Sequence, residues 1–578
     1  MKIGGRQTPS PGSMPRLGHD LIARPQLASN TREKTPEVKR SDSRRRRIML
    51  TVLCFAAAFS IVTGRLMTLG LFAGGDVRHV AAAEVREPVQ RRDIVDRNGE
   101  VMATDIITAS LYADARKVLD PRETARQIFS VLPDLELTML EERLASGRAF
   151  VWLKRDVTPR EQQAVHNLGQ PGLGFRREQK RVYPNGNTAS HVLGSVDVDN
   201  RGTAGMEYYI DNSDDLADGA LELSIDLRVQ HAVRTELAAA MEEFSAKAAI
   251  GVVMDVTTGE VVASVSLPDF DPNDPMGSPT RSRFNAATLG VYEMGSTFKA
   301  FSVAAALDSG RINLSTSYDA REPIRVSRFT ISDYHAQKRY LSVPELFMHS
   351  SNIGTAKMVL DLGREEHRGF LGRLGLLTRA EIELPEAGRP LLPDRWTDVS
   401  AMTISYGHGL SVSPLNVVAA NATLVNGGLS VRPTFLRRRG LREDAAGERV
   451  MSQTTSDAMR ALLRLVVEQG TGRNADVMGY PVMGKTGTAE KAVNGGYAKR
   501  ALLTSFLSAF PANDPRYSML VVFDEPQATP ETYGYATAGW NAAPVTSRVV
   551  RRIAPILGLR PVDTWDAPIQ AASLLVSE

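Results

Sequence analysis

The chain has 578 residues, 43% of them hydrophobic, and its 69 Lys and Arg against 66 Asp and Glu give a formal charge of +3. That length is too great for one compact core and that apolar content excludes general disorder, so two or three domains are expected. The small net charge hides a split, because residues 1–47 carry 12 basic against 4 acidic side chains while the remaining 531 carry 57 against 62.

The basic excess lies in a Pro/Ser/Arg-rich leader without apolar periodicity rather than in a folded domain with a basic groove. This argues against nucleic acid as a partner and predicts a disordered tail over 1–47. After four arginines at 44–47 comes an uncharged run of 17 residues, 48–64, then Arg65 and a second apolar stretch to Gly75. As a helix the first run spans about 25 Å and Arg65 can snorkel, so 48–75 reads as a single membrane anchor in contact with lipid. A buried core helix, or a cleaved leader ending near Ala81, Ala82 and Ala83, are the alternatives, although a leader normally starts near residue 1. Positive charge before the span places 1–47 in the cytoplasm and 76–578 outside it. Cys54, the one cysteine, falls inside the apolar run, so the exported body has no intrachain disulfide. The nine His residues are scattered, with no H-E-x-x-H, no paired Cys and no acidic calcium loop, and no metal site is read.

Residues 76–235 alternate short β-like runs such as 109–113 with charged helical stretches at 121–137, 138–147 and 159–168, which is an α+β pattern. Within them RDIVDRNG (92–99) puts an Asn-Gly turn between a strand and 101–103. RVYP (181–184) and HVLG (191–194) read as turns and ion pairs of a domain that holds its shape. A helix is expected over 227–244, then a buried strand at 248–254, a turn at 257–259 and its hairpin mate at 260–266. These open a larger domain, taken as 236–570. Its middle, 296–428, is mostly helical by pattern, and 505–510 and 517–524 return to β-like runs. Strands at both ends of a helical insertion predict an antiparallel sheet covered by helices, with a helical subdomain on one side and a crevice between the two parts.

Three short motifs could carry chemistry. In Gly295-Ser296-Thr297-Phe298-Lys299, helical spacing puts Ser296 and Lys299 on one face, where a desolvated neutral lysine could take the serine proton. Alone, S-x-x-K also fits a helix cap and a surface lysine, but the apolar continuation 300–307 is suited to burying it. In Ser350-Ser351-Asn352, between two helices, a hydroxyl and an amide could face a cleft, or could simply cap the next helix. Residues 479–486 formally match the phosphate-binding loop G-x-x-x-x-G-K-[ST], yet Pro481 lacks an N–H and no helix is signalled after Thr486, so nucleotide binding is rejected. As an edge strand, the same segment aims Lys485 and Gly487 one way and Thr486 and Thr488 the other. Gly487 would then let a bound chain approach closely while Lys and hydroxyls address a carboxylate.

Together and in this order, S-x-x-K, S-x-N and K-T-G resemble the active-site set of the penicillin-binding and serine β-lactamase superfamily. With RDIVDRNG, RVYP, HVLG, GTAGME (202–207) and Gly470-Thr471-Gly472, the chain resembles most the class B penicillin-binding proteins of the cell-division branch, over about 45–560. The resemblance implies an α+β multidomain protein: a transmembrane helix at 48–75, an elongated noncatalytic pedestal at 76–235, and a transpeptidase domain at 236–570 with an antiparallel sheet flanked by helices plus a helical subdomain. It implies that Ser296 is acylated by the D-Ala-D-Ala amide of a peptidoglycan stem peptide, with Lys299 accepting its proton and Ser350 relaying one to the leaving amine. Lys485 would set the local charge, Asn352 would hold the substrate backbone, and Thr486 and Thr488 would address the carboxylate beside Gly487. The backbone N–H groups of Ser296 and Thr488 would form the oxyanion hole. No metal or organic cofactor is implied. The implied partners are stem peptides on glycan strands derived from lipid-linked precursor, β-lactams as covalent inhibitors, a multi-pass glycan polymerase and other division proteins. SYGHG (405–409) followed by SPLN (413–416) resembles a stretch lining the cleft, although a glycine turn before a helix suits His408 equally. A glycosyltransferase domain with catalytic glutamates, as in bifunctional relatives, is not read before residue 227. An elongation enzyme and a catalytically silent scaffold are the rival readings.

Overall fold

The structure, a computed structural model, describes residues 42–71, 91–213, 219–326, 329–438, 440, 447–493 and 496–562. The chain forms two compact units that divide between Arg86 and Glu87. In the first unit, a single helix, α1, runs Asp42–Leu71. Its segment Arg46–Arg65 has 20 residues at a mean hydropathy of 1.8, long and apolar enough to cross a membrane. The tail expected to be disordered through residue 47 is already helical from Asp42, because Arg is a good helix former and the nucleated apolar helix propagates back through it. The rest of the basic leader, Ala81 to Ala83 and the last residues lie outside the described residues.

The second unit opens with Ile94–Val95, then the turn at Asn98 and Gly99 (φ +88°), as the Asn-Gly pair predicts. A long strand β1 (Val101–Ala113) follows, longer than the 109–113 expected. It pairs antiparallel with β2 (Val151–Val157) and with β3 (Leu173–Val182). Helices Pro121–Val131, Leu137–Leu144 and Pro159–Asn167 cover this sheet, two of them starting with Pro at the first turn after a capping Asp120 or Thr158. A buried ionic cluster joins distant pieces of the same region. Arg181 Nε is 2.6 Å from Glu207 Oε1 and its Nη1 is 3.2 Å from Asp105 Oδ1, while Arg91 Nε is 2.6 Å from Glu207 Oε2.

Helix α2 (Leu227–Glu243) starts at Asp226, whose carboxylate accepts the Arg228 N–H. Residue 235 falls inside α2, whose Val229, Val233 and Leu237 belong to the core of the C-terminal sheet, so the whole helix goes with that sheet. The sheet comprises β4 (Ala248–Asp255), β5 (Val261–Leu267), β6 (Met483–Val493), β7 (Gly496–Phe510) and β8 (Tyr517–Asp524). Their spatial order is β6-β7-β8-β4-β5, antiparallel throughout, with β6 on one edge.

Period-two alternation distributes this sheet between two cores. Ala249, Val253, Met519, Val521 and Phe523 pack under α2 and the C-terminal helix Ala542–Ile556. Ile250, Val252, Met254, Leu520 and Val522 face the helical insertion, whose Pro414–Val425 helix is buried along its whole length. Gly251 is where α2 presses closest, since a Cβ there would lie 2.7 Å from Leu237 Cδ1. The insertion contributes α3 (Lys299–Asp308), α4 (Asn352–Leu362), α5 (Arg364–Arg373) and α6 (Asp398–Ser405). It also contains four short strands between residues 317 and 342 that the helical pattern does not announce.

Candidate active site

The S-x-x-K motif begins as a tight 3-10 turn, Gly295–Phe298, and becomes the α-helix α3 only at Lys299. The i, i+3 relation survives this change, and Lys299 Nζ lies 3.0 Å from Ser296 Oγ. Side chains all around α3 are buried, including Phe301, Val303 and Ala304, which makes it a central core helix. Lys299 itself is fully buried.

His349, Ser350 and Ser351 form a three-residue link between the helix Val343–Met348 and α4. Ser350 has φ +58°, a left-handed conformation that turns its hydroxyl back toward α3. Lys299 Nζ lies 2.6 Å from the Ser350 carbonyl, 3.0 Å from Ser350 Oγ and 2.7 Å from Asn352 Oδ1. Lys485 reaches the same hydroxyl from β6, at 3.1 Å. The structure therefore brings Ser296, Lys299, Ser350, Asn352 and Lys485 into one contiguous polar cluster.

Burial depresses both lysines. Lys299 sits well below the usual amine range because it is desolvated and faces the Lys485 cation, with Asp333 opposing the shift. Lys485 is lowered to about 7 by desolvation. A neutral Lys299 amine has two N–H groups, and two of its neighbours, the Ser350 carbonyl and Asn352 Oδ1, can only accept. Its lone pair is then left for a hydroxyl proton. That is the hydrogen-bonding state a general base needs.

The remaining K-T-G positions are buried or half-buried. Thr486 Oγ1 is 2.6 Å from Thr471 Oγ1 and 3.4 Å from Lys485 Nζ, while Thr488 Oγ1 accepts the Ala538 N–H at 3.3 Å. A Cβ at Gly487 would meet Met294 O at 2.5 Å and Thr297 Cγ2 at 2.8 Å, so the glycine admits the turn that carries Ser296. Gly295 (φ +55°) answers it, its own Cβ position lying 2.8 Å from Thr488 O. Lys485 and Thr486 stand in the middle of a β-strand paired to Leu507 and Phe506, an arrangement incompatible with a phosphate-binding loop.

Two further groups support the cluster without any motif to announce them. The Asp333 carboxylate accepts from Ser351 Oγ at 2.6 Å and from the Ile353 N–H at 2.9 Å, pinning the start of α4. Asn352 Nδ2 donates to Ser332 O at 2.9 Å, which fixes its Oδ1 toward Lys299. On the opposite wall, Tyr292 and Val412 exchange backbone hydrogen bonds of 3.0 Å, Gly295 N donates to Gly407 O at 3.3 Å, and Gly409 N donates to Glu293 Oε1 at 2.8 Å. His408 lies on this wall, and burial lowers its proton affinity against the pull of Glu293, with the Lys299 cation adding to the lowering.

A family model for the penicillin-binding protein transpeptidase domain matches residues 249–550, and one for the penicillin-binding protein dimerisation domain matches 86–218. The chain is 42% identical over 487 residues to the "Probable peptidoglycan D,D-transpeptidase FtsI" of Caulobacter vibrioides, covering 81% of this chain and 82% of that protein. It is 31% identical over 580 residues to the "Probable peptidoglycan D,D-transpeptidase PenA" of Neisseria meningitidis, covering 94% and 97%. A crystal structure named for a peptidoglycan glycosyltransferase of Atopobium parvulum has the same fold, with a TM-score of 0.62 over 82% of this chain and 98% of that one at 22% identity. With a transpeptidase-domain match over more than half of its length and FtsI and PenA relatives at these identities, the chain belongs to the class B penicillin-binding protein family.

Proposed function

We propose that the chain is a serine peptidoglycan D,D-transpeptidase that cross-links stem peptides during septal wall synthesis. It is held in the inner membrane by α1 with its basic leader in the cytoplasm and its catalytic body outside. The observation that carries this reading is the buried Lys299 amine, 3.0 Å from Ser296 Oγ and from Ser350 Oγ, with the second buried lysine 3.1 Å beyond. In this reading Ser296 Oγ attacks the carbonyl of the penultimate D-Ala as Lys299 takes its proton. The C–N bond to the terminal D-Ala breaks, and Ser350, in contact with both lysines, passes a proton to the departing amine. The amine of a second stem peptide then attacks the acyl-enzyme ester, giving the cross-link and returning the hydroxyl proton to Ser296. Asn352 holds the donor backbone, Thr486 and Thr488 address its carboxylate, Lys485 supplies positive potential there, and Gly487 sets the spacing of β6 from the nucleophile. The N–H groups of Ser296 and Thr488 receive the oxyanion. The region before α2 serves as the pedestal, and a multi-pass polymerase supplies the glycan strands.

Labelling the detergent-purified full chain with a fluorescent penicillin tests this. A covalent adduct is expected on the native chain and none on Ser296→Ala; a folded native chain that forms no Ser296-dependent adduct refutes the enzyme. A fluorescent fusion confined to midcell is expected for septal work, and a lateral or polar distribution would assign it to elongation instead.

A further inference from the structure

A buried histidine outside the cluster has no place in that chemistry. His367, on α5, is fully buried, and its Nε2 lies 3.0 Å from Ser302 Oγ. Ser302 is on α3, one turn past Lys299, and its hydroxyl donates to the Ser405 carbonyl at 3.0 Å. Ser405 is the last residue of α6, where helical carbonyls run out of intrahelical N–H partners. Ser302 therefore caps the end of one helix from the side of another.

The hydroxyl has a single proton and it is committed to Ser405, so the imidazole must be the donor in the other bond. This assigns the Nε2–H tautomer to His367. Its Nδ1 is buried with no hydrogen-bond partner among the described residues, and burial holds the ring down to about 3, so it stays neutral. Two residues beyond Ser405, Gly407 (φ +85°) accepts the Gly295 N–H at 3.3 Å, and a Cβ at Gly407 would fall 2.1 Å from Gly295 O. The end of α6 thus bears directly on the turn that carries Ser296, with no slack between the two backbones.

We infer that Ser302 and His367 are positioning residues for acyl transfer: by fixing the Ser405 carbonyl they set the Gly407 segment against which the nucleophile turn closes. The inference deepens the proposed function and rests on it. Polar groups buried at this depth cost stability unless paired, so a hydroxyl and an imidazole here do what an apolar pair could not, which is to hold one carbonyl at one place.

The test uses the full chain in detergent and rapid-mixing kinetics with a fluorescent penicillin, separating initial non-covalent binding from the acylation rate constant. Ser302→Ala is expected to lower the acylation rate constant at least tenfold, about 1.4 kcal/mol, with the initial binding constant within about twofold. His367→Gln, which keeps an Nε2 donor, should recover to within about threefold of the native rate. Ser302→Ala acylating at the native rate overturns the inference. Nitrogen NMR of the histidine-labelled native chain needs no variant: Nε2–H with a bare Nδ1 at pH about 6 to 9 is expected, and a proton on Nδ1 overturns it. A native chain that is never labelled at Ser296 would instead defeat the proposed function, whereas a labelled native chain with unaffected variants defeats only this inference.

Discussion

Gly487→Ala isolates the contact between β6 and the nucleophile turn. Gly487 has no left-handed φ, so alanine brings no backbone strain and its whole effect is the added methyl. That methyl would lie 2.4 Å from Ser505 Oγ, 2.5 Å from Met294 O and 2.8 Å from Thr297 Cγ2. Carbon contacts settle at roughly 3.5 Å, so the shortfall is about 1 Å. Ser505 Oγ can rotate away. Met294 O cannot, because it is backbone and already accepts the Thr297 hydroxyl at 2.9 Å. Strand and turn must therefore separate by about 0.5–1 Å, at an overpacking cost of ~1–3 kcal/mol. A displacement near 1 Å at a reacting group costs on the order of 100-fold in rate. Acylation by fluorescent penicillin should thus fall about 30- to 100-fold while thermal unfolding shifts by only a few degrees. A Gly487→Ala chain acylated within twofold of native would refute the assignment of this glycine to the strand–turn contact.

The pH dependence of acylation follows from the facing lysines. Lys485 depresses Lys299, so Lys485→Met lets Lys299 keep its proton to higher pH and should move the acidic limb of the acylation profile upward; an unmoved or lowered limb contradicts this. In the N-terminal α+β region, Arg181→Ala removes the ion-pair partner of buried Asp105 and leaves Glu207 with Arg91 alone, and should cost about 3 kcal/mol, read as a lower midpoint by calorimetry on the full chain. A loss under about 1 kcal/mol would show the cluster to be solvated and of little weight.

The sequence revealed what depends on local spacing. Ser296 and Lys299 meet because three residues make a turn of either helix type, and β4, β5 and β8 are legible because each has a largely apolar run between turn residues. Contacts made by tertiary register left no such trace. Asp333 precedes Ser351 by 18 residues in a segment without pattern, and only the path of the insertion returns its carboxylate to α4. His367 is flanked by Glu366 and Arg368 and shares its buried face with Phe370 and Leu371, a setting that carries no motif. The packing at Gly487 is hidden from the sequence for a related reason. An edge strand has one open flank, but the face its glycine presents is decided by what packs over the sheet, and here that is the nucleophile turn.

Burying two lysines within reach of one hydroxyl is costly, and the cost bears on the chemistry. Taking an ammonium out of water is paid for only if it is paired, and among the described residues the carboxylate acting on Lys299 is Asp333, which already accepts from Ser351 Oγ and the Ile353 N–H. The like charges also repel, so Lys299 and Lys485 titrate as a pair and lose protons in steps that belong to both. Desolvation lowers both amines, Lys485 to about 7, and the Lys485 charge adds to the lowering of Lys299. The repulsion favours states in which only one of the two is charged. Ser350 Oγ touches both amines, at 3.0 Å and 3.1 Å, so the amine that can accept and the ammonium that can donate are joined by one hydroxyl. Acylation needs both at once: a base beside Ser296 and a proton source for the leaving amine. Two buried lysines that repel one another's charge supply that asymmetry, which two exposed lysines, both charged near neutral pH, would not.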